Sequence, residues 1–167
     1  CIDKDLERIK DLRNGIIPIY EPGLDSLLKK NVKSGRLSFT SNLADSLKGS
    51  EAVFIAVGTP SRRGDGRADL TYVNQAAKEI AELSKGYALF ITKSTVPVGS
   101  NRNLIAVIKE ANPDLDFDVV SNPEFLREGA AIDDFMKPDR VVVGLESDKA
   151  KNVMLEIYKP LYLRDFP

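Results

Sequence analysis

The sequence predicts an α/β fold with a doubly wound, mostly parallel sheet, and three observations carry that prediction. Apolar runs of strand length alternate with segments of helical periodicity along the chain, the order expected of a parallel sheet with helices on both faces. The run at 52–57 (Ala-Val-Phe-Ile-Ala-Val) is continuously apolar, as parallel strands covered on both faces are. Three of the runs end in polar loops of small residues, which marks one edge of the sheet as special.

Taken in order, residues 4–14 read as a helix. Leu6, Ile9 and Leu12 recur at near-helical spacing, and Asn14-Gly15 is a stop signal. Residues 16–23 hold two prolines and a glycine and form a loop. A second amphipathic helix covers 24–32 through Leu24, Leu27 and Leu28, and a short strand follows at 37–40. Ser41 is placed to cap a small helix that ends near Lys48-Gly49. After the strand at 52–57, residues 58–69 make a long glycine-rich loop, a length often tied to function. Asp69 or Thr71 then caps a helix reaching about Ser84. Further strands are predicted at 88–92, 117–121 and 140–144, with a helix at 101–111 and a last helix capped by Ser147.

Composition narrows the function classes. The chain has 167 residues, one domain by size and enough for a real core. A net charge of −1 leaves no basic footprint for nucleic acid. No apolar run reaches membrane-spanning length, and no segment reads as a signal peptide. The one cysteine, Cys1, makes no internal disulfide, which suits a reducing, cytoplasmic setting. With no histidine, His-based acid/base chemistry is excluded and no metal site is expected.

Cys1-Ile2-Asp3 reads as the tail of a strand whose start is missing, with Cys1 facing the core. An acid at a strand end before a helix is where a Rossmann-like fold holds the adenosine ribose of a dinucleotide. Asp3 would accept bonds from the ribose hydroxyls and repel a 2′-phosphate, favouring NAD over NADP. A helix N-cap is the alternative reading of the same residue. The glycine fingerprint that accompanies such an acid would lie upstream of Cys1, so the fold is expected to be truncated at its N-terminus.

The stretch 120–140 concentrates the chemistry. Pro123 breaks the strand, and two acids, Glu124 and Glu128, follow with Phe125, Leu126 and Arg127 between them. Were 124–128 a helical turn, the i, i+4 spacing would put both carboxylates on one face. Their repulsion then calls for a partner: substrate hydroxyls, water or a cation. The alternative is a solvated loop with ordinary surface acids. The other two loops are Val57-Gly58-Thr59-Pro60-Ser61 and Ser94-Thr95-Val96-Pro97-Val98-Gly99. Small residues let a backbone approach a ligand, and three such loops at successive strand ends point to a ligand crevice.

Four segments resemble the UDP-glucose/GDP-mannose dehydrogenase family: Pro18-Ile-Tyr-Glu-Pro-Gly-Leu24, Val57-Gly-Thr-Pro60, Lys93-Ser-Thr-Val-Pro-Val-Gly99 and Ser121-Asn-Pro-Glu-Phe-Leu-Arg-Glu-Gly129. They fall in the family's order and spacing along nearly the whole chain, and Lys137-Pro-Asp-Arg140 fits as well. The resemblance implies an NAD-binding domain over 1–167, joined in the family by a long helix to a second domain. It implies two successive oxidations of a sugar-nucleotide C6 alcohol to a carboxylate, with two NAD and a cysteine thioester. UDP-glucose is the implied substrate, with GDP-mannose or a UDP-N-acetyl sugar, or a non-catalytic nucleotide-binding module, as alternatives. A homo-oligomer built through the connecting helix is implied too. By position, Asp3 would bind the adenosine ribose with Arg8 nearby. Val57, Gly58, Thr59, Pro60, Ser61, Ser94, Thr95 and Val96 would line the NAD, and Glu128 would touch its active-site end. Glu124 would assist hydrolysis of the thioester as a base, with Thr95 holding the water. Glu124, Glu128 and the backbone of Phe125, Leu126 and Arg127 would face the sugar nucleotide. Cys1 does not match the catalytic cysteine, so the chain is expected to be an internal piece, inactive alone.

Overall fold

The computed structural model describes residues 1–62, 64, 66 and 68–162, with the side chain of Tyr162 outside the description. The predicted 58–69 loop includes Arg63, Asp65 and Arg67, which lie outside the described residues. In chain order the elements are α1 (Leu6–Arg13), α2 (Leu24–Lys33), α3 (Leu43–Leu47), β1 (Ala52–Ile55), α4 (Thr71–Leu83), β2 (Tyr87–Thr92), α5 (Ser100–Ala111), β3 (Asp116–Ser121), α6 (Ala131–Met136) and α7 (Asp148–Tyr162). Two compact units are present: Cys1–Ser46 with Phe125–Asp139, and Leu47–Glu124 with Arg140–Pro167.

The second unit holds the sheet. Its strands lie in the order β1-β2-β3 and pair in parallel. Parallel neighbours need crossover connections, and α4 and α5 supply them. α4 buries Val73, Ala77, Ile80 and Ala81, α5 buries Leu104 and Ile108, and the two helices pack together. α7 packs against β3 and buries Ala150, Met154, Tyr158 and Leu161. The central strand is covered on both faces, with Leu89, Phe90 and Ile91 at 0% exposure. Ser147 caps α7 as its sequence position predicts, its hydroxyl accepting the Ala150 N–H at 3.0 Å. At the start of α4, the Asp69 carboxylate accepts both the N–H and the hydroxyl of Thr71.

Two strand expectations in this unit are corrected. The run at 52–57 forms a strand only to Ile55, and Phe54 is 43% exposed. Among the described residues β1 has one strand neighbour, β2, whereas β2 is paired on both sides. The strand expected at 140–144 reduces to one antiparallel bridge, Ser121↔Gly144. The cause is local. The next hydrogen-bonded pair would join residue 123 to Val142, and Pro123 has no N–H to give. The Asn122 side chain donates to the Val142 carbonyl at 2.9 Å in its place. On the other side, Ser147 turns the chain into α7.

The first unit is built on Ile9 of α1, Leu28 of α2 and Phe39, with Leu12, Ile17 and Leu37 packed against them. Asp5 caps α1 through the Arg8 N–H. The strand expected at 37–40 is only a parallel bridge, Ile2↔Thr40. The bonds present follow the parallel pattern, with Asp3 N–H to Thr40 O, Thr40 N–H to Cys1 O and the Cys1 nitrogen to Ser38 O at 2.7 Å, while Arg13 Nε donates to Phe39 O at 2.8 Å. Cys1, expected in the core, is exposed. Its carbonyl bonds the Thr40 N–H, but its side chain is not among the residues of that core. Asn42 rather than Ser41 caps α3, its Oδ1 accepting the Asp45 N–H at 3.1 Å.

Candidate functional site

In the second unit, the register Ile55↔Thr92↔Ser121 ends all three strands level with one another. The loops that follow therefore leave the same carboxyl edge of the sheet, where ligands bind in open α/β folds. The first loop carries Val57, Gly58, Thr59, Pro60 and Ser61. A Cβ built on Gly58 meets nothing within 4 Å, so the loop is open there to an approaching group. Its far end is tied by the Ser61↔Ala68 bridge and by Asp69 N–H to Pro60 O at 2.8 Å. The second loop is fastened to the first, because the Ser94 hydroxyl donates to Val57 O at 2.7 Å. Thr95 is exposed, Val96 is half-buried, and Gly99 turns the chain into α5 with a φ of 90°.

The third loop starts at Asn122, whose N–H bonds Thr92 O at 2.9 Å. Thr95 stands three residues past Thr92 and the half-buried Glu124 three past Ser121, on adjacent paired strands. Asn122 itself is 1% exposed, and its amide accepts from Lys93 Nζ at 3.3 Å and from the Tyr158 hydroxyl.

In the first unit, Asp3 follows the bridged Ile2 and precedes α1. The helix cap is Asp5, so Asp3 is left with a different task. Its Oδ1 accepts the Asp5 N–H at 3.0 Å and its Oδ2 the Arg8 guanidinium at 2.8 Å. The Asp5 N–H, and after it Arg8, hold this carboxyl below its ordinary range, so it is an anion at neutral pH. The structure thus brings Asp3 and Arg8 together.

The helical turn considered for 124–128 is absent: residues 122–127 have no regular structure. The Arg127 N–H, which a helix would aim back along its own turn, goes to Asp134 Oδ2 at 2.9 Å. The Arg127 side chain grips the same carboxylate through Nε at 3.1 Å and a terminal nitrogen at 2.7 Å. That grip holds the Asp134 carboxyl down at about 2. The clamp leaves Phe125 66% and Leu126 40% exposed, with Glu128 exposed beside Gly129. Glu21 supports the same segment from the Pro18–Leu24 motif, its Oε1 accepting the Ile132 N–H at the start of α6 at 3.2 Å.

Sequence reading missed α6, Asp134, the contact of Glu21 and Tyr158. Glu21 stood in a quoted motif, and its acid was the available signal. Asp134, seven residues past Arg127, and Tyr158, on a distant helix, carried none.

Comparison with known proteins adds a family. The profile described as "UDP-glucose/GDP-mannose dehydrogenase family, NAD binding domain" matches residues 1–162. The chain is similar to UDP-glucose 6-dehydrogenase of Rhizobium meliloti, 56% identical over 100% of this chain and 39% of that protein. It is 47% identical to UDP-glucose 6-dehydrogenase TuaD of Bacillus subtilis, over 97% of this chain and 35% of that one. Among solved structures, a UDP-glucose dehydrogenase from Pyrobaculum islandicum superposes with a TM-score of 0.91 at 41% identity, covering 99% of this chain and 38% of that one. A GDP-mannose dehydrogenase from Pseudomonas aeruginosa gives 0.90 at 34%, covering 95% and 38%. The chain thus spans well under half the length of these relatives. No helix among the described residues is long and apolar enough to cross a membrane.

Proposed function

The chain belongs to the UDP-glucose/GDP-mannose dehydrogenase family, and we propose that the protein carrying it oxidises the C6 alcohol of UDP-glucose to a carboxylate with two NAD. The 56% identity to the Rhizobium enzyme over the whole chain is the observation that supports this substrate most directly. Residues 1–167 are read as the NAD-binding domain, and the full-length protein as a cytoplasmic homo-oligomer assembled through a connecting helix.

Each unit by itself holds residues that suit a dinucleotide: an ionised Asp3 in the first, and in the second an open Gly58 with small residues on loops leaving one sheet edge. NAD, when bound, accepts the hydride that each oxidation releases. Asp3 accepts the ribose hydroxyls, with Arg8 beside it. Val57, Gly58, Thr59, Pro60, Ser61, Ser94, Thr95 and Val96 line the cofactor, and Glu128 lies at its reactive end. The backbone of Phe125, Leu126 and Arg127 faces the sugar nucleotide, and Glu124 and Glu128 contact it. Glu124 takes the proton of a water that Thr95 holds, and that water hydrolyses an acyl intermediate. The acyl group sits on a cysteine other than Cys1, so the 167-residue chain alone does not turn over.

Full-length protein with UDP-glucose and NAD is expected to release two NADH per sugar nucleotide, followed by absorbance. Faster oxidation of GDP-mannose or a UDP-N-acetyl sugar moves the substrate assignment. No NADH with any of these rejects the dehydrogenase reading. Asp3→Ala is expected to narrow the preference for NAD over NADP by about tenfold, the scale of one charge-assisted hydrogen bond. The substitution also frees Arg8 to meet a 2′-phosphate. Equal kcat/KM for the two cofactors in the unmutated protein removes the role given to Asp3.

A further inference from the structure

We propose that Tyr158 is a positioning residue that holds the loops of Thr95 and Glu124 through Lys93 and Asn122. The inference rests on the dehydrogenase reading for the reaction, and on geometry alone for the tie. Lys93 and Asn122 are the residues at which the second and third loops leave β2 and β3. Asn122 is 1% exposed and every polar atom of its side chain is engaged. Its Nδ2 holds Val142 O at 2.9 Å, and its Oδ1 accepts from Lys93 Nζ at 3.3 Å and from the Tyr158 hydroxyl. Lys93 Nζ also donates to the Tyr158 hydroxyl at 3.3 Å. The three groups close a triangle in which Tyr158 is at once donor and acceptor.

Tyr158 is 4% exposed on α7, on the same buried face of that helix as Ala150, Met154 and Leu161. Packing there asks only for the ring, and a phenylalanine would supply it. The hydroxyl adds something a hydrocarbon lacks: it ends on the two residues that begin the candidate catalytic loops. Glu124 follows Asn122 by two residues and Thr95 follows Lys93 by two. Buried polar networks that are fully satisfied rigidify what they touch. Here the touched elements are the roots of two loops that must present a base and a water-binding hydroxyl to the same point. Tyr158 meets neither substrate nor cofactor in this account, so it acts only by placing others.

The test is Tyr158→Phe in the full-length protein, read by amide hydrogen exchange and by kinetics. The expected result is faster exchange confined to peptides covering 93–99 and 122–126, with β2 unchanged. With UDP-glucose, kcat is expected to fall by about 10- to 100-fold, the cost of a small misplacement of reacting groups, while KM for NAD stays within about twofold. Loop exchange unchanged from the unmutated protein overturns the proposal. So does exchange that rises throughout the sheet, which makes the hydroxyl a general stability contact. Normal kcat with loosened loops overturns the link to catalysis. If the unmutated protein oxidises no sugar nucleotide, the dehydrogenase reading fails, and the exchange pattern still decides whether Tyr158 holds the loops.

Discussion

Glu124→Gln in the full-length protein is expected to lower steady-state turnover by about 10²–10⁴-fold, the usual worth of a positioned general base. The reason lies in how the proposed half-reactions differ. Hydride transfer needs the sugar and cofactor aligned and a base for the alcohol proton. Hydrolysis of an acyl intermediate needs water, a poor nucleophile at neutral pH, to be deprotonated as it attacks. Glutamine keeps the shape and hydrogen bonding of Glu124 but cannot take a proton. The first oxidation should therefore survive better than turnover, and an acyl-enzyme should accumulate. Intact-protein mass spectrometry after mixing with UDP-glucose and NAD would show the added mass. Normal turnover rejects the role. A slowed first oxidation with no adduct reassigns Glu124 to substrate positioning. Its half-buried place beyond β3, matched to Thr95 beyond β2, is the geometry that motivates the experiment.

Much of this arrangement was legible in the sequence because it depends on local rules. Apolar periodicity marked β2, β3 and the helices α4, α5 and α7, and the parallel pairing followed from their alternation. Ser147 announced its helix by type and position. What escaped depends on partners far along the chain. The run at 52–57 has the composition of a buried strand, yet Phe54 is exposed on β1, whose one strand neighbour among the described residues is β2. The run at 140–144 reads as a strand until Pro123 is set opposite it, a pairing that no window of sequence contains. The acids at 124 and 128 suggested a helical turn because i, i+4 spacing is a local signal. Asp134 overrides it by drawing off the Arg127 N–H. Asp3 is fixed by neighbours two and five residues away, the Asp5 N–H and Arg8, and of these only the nearness of Arg8 was expected, from the family resemblance.

Phe90→Ala is expected to destabilise the protein by about 3–5 kcal/mol, the usual cost of removing a fully buried aromatic ring. Phe90 lies in the middle of β2 at 0% exposure, and its ring meets that of Phe117 edge-on, with centroids 5.9 Å apart. The loss combines the transfer energy of the ring, the cavity left between α4, α5 and the sheet, and the aromatic pair itself. β2 and β3 form the rigid base from which the Thr95 and Glu124 loops depart, so a cavity there reaches the candidate site. Phe54→Ala provides the comparison: the same side chain removed from β1, where it is 43% exposed, with a cost expected to be below about 1.5 kcal/mol. Measuring both variants in the 167-residue chain by urea denaturation holds the rest of the molecule constant. A larger fall in midpoint for Phe90→Ala, at unchanged slope, supports the central place of β2. Equal midpoints for the two variants would mean that Phe90 is not in a closely packed core, and that the parallel sheet assigned to this unit is wrong at its centre.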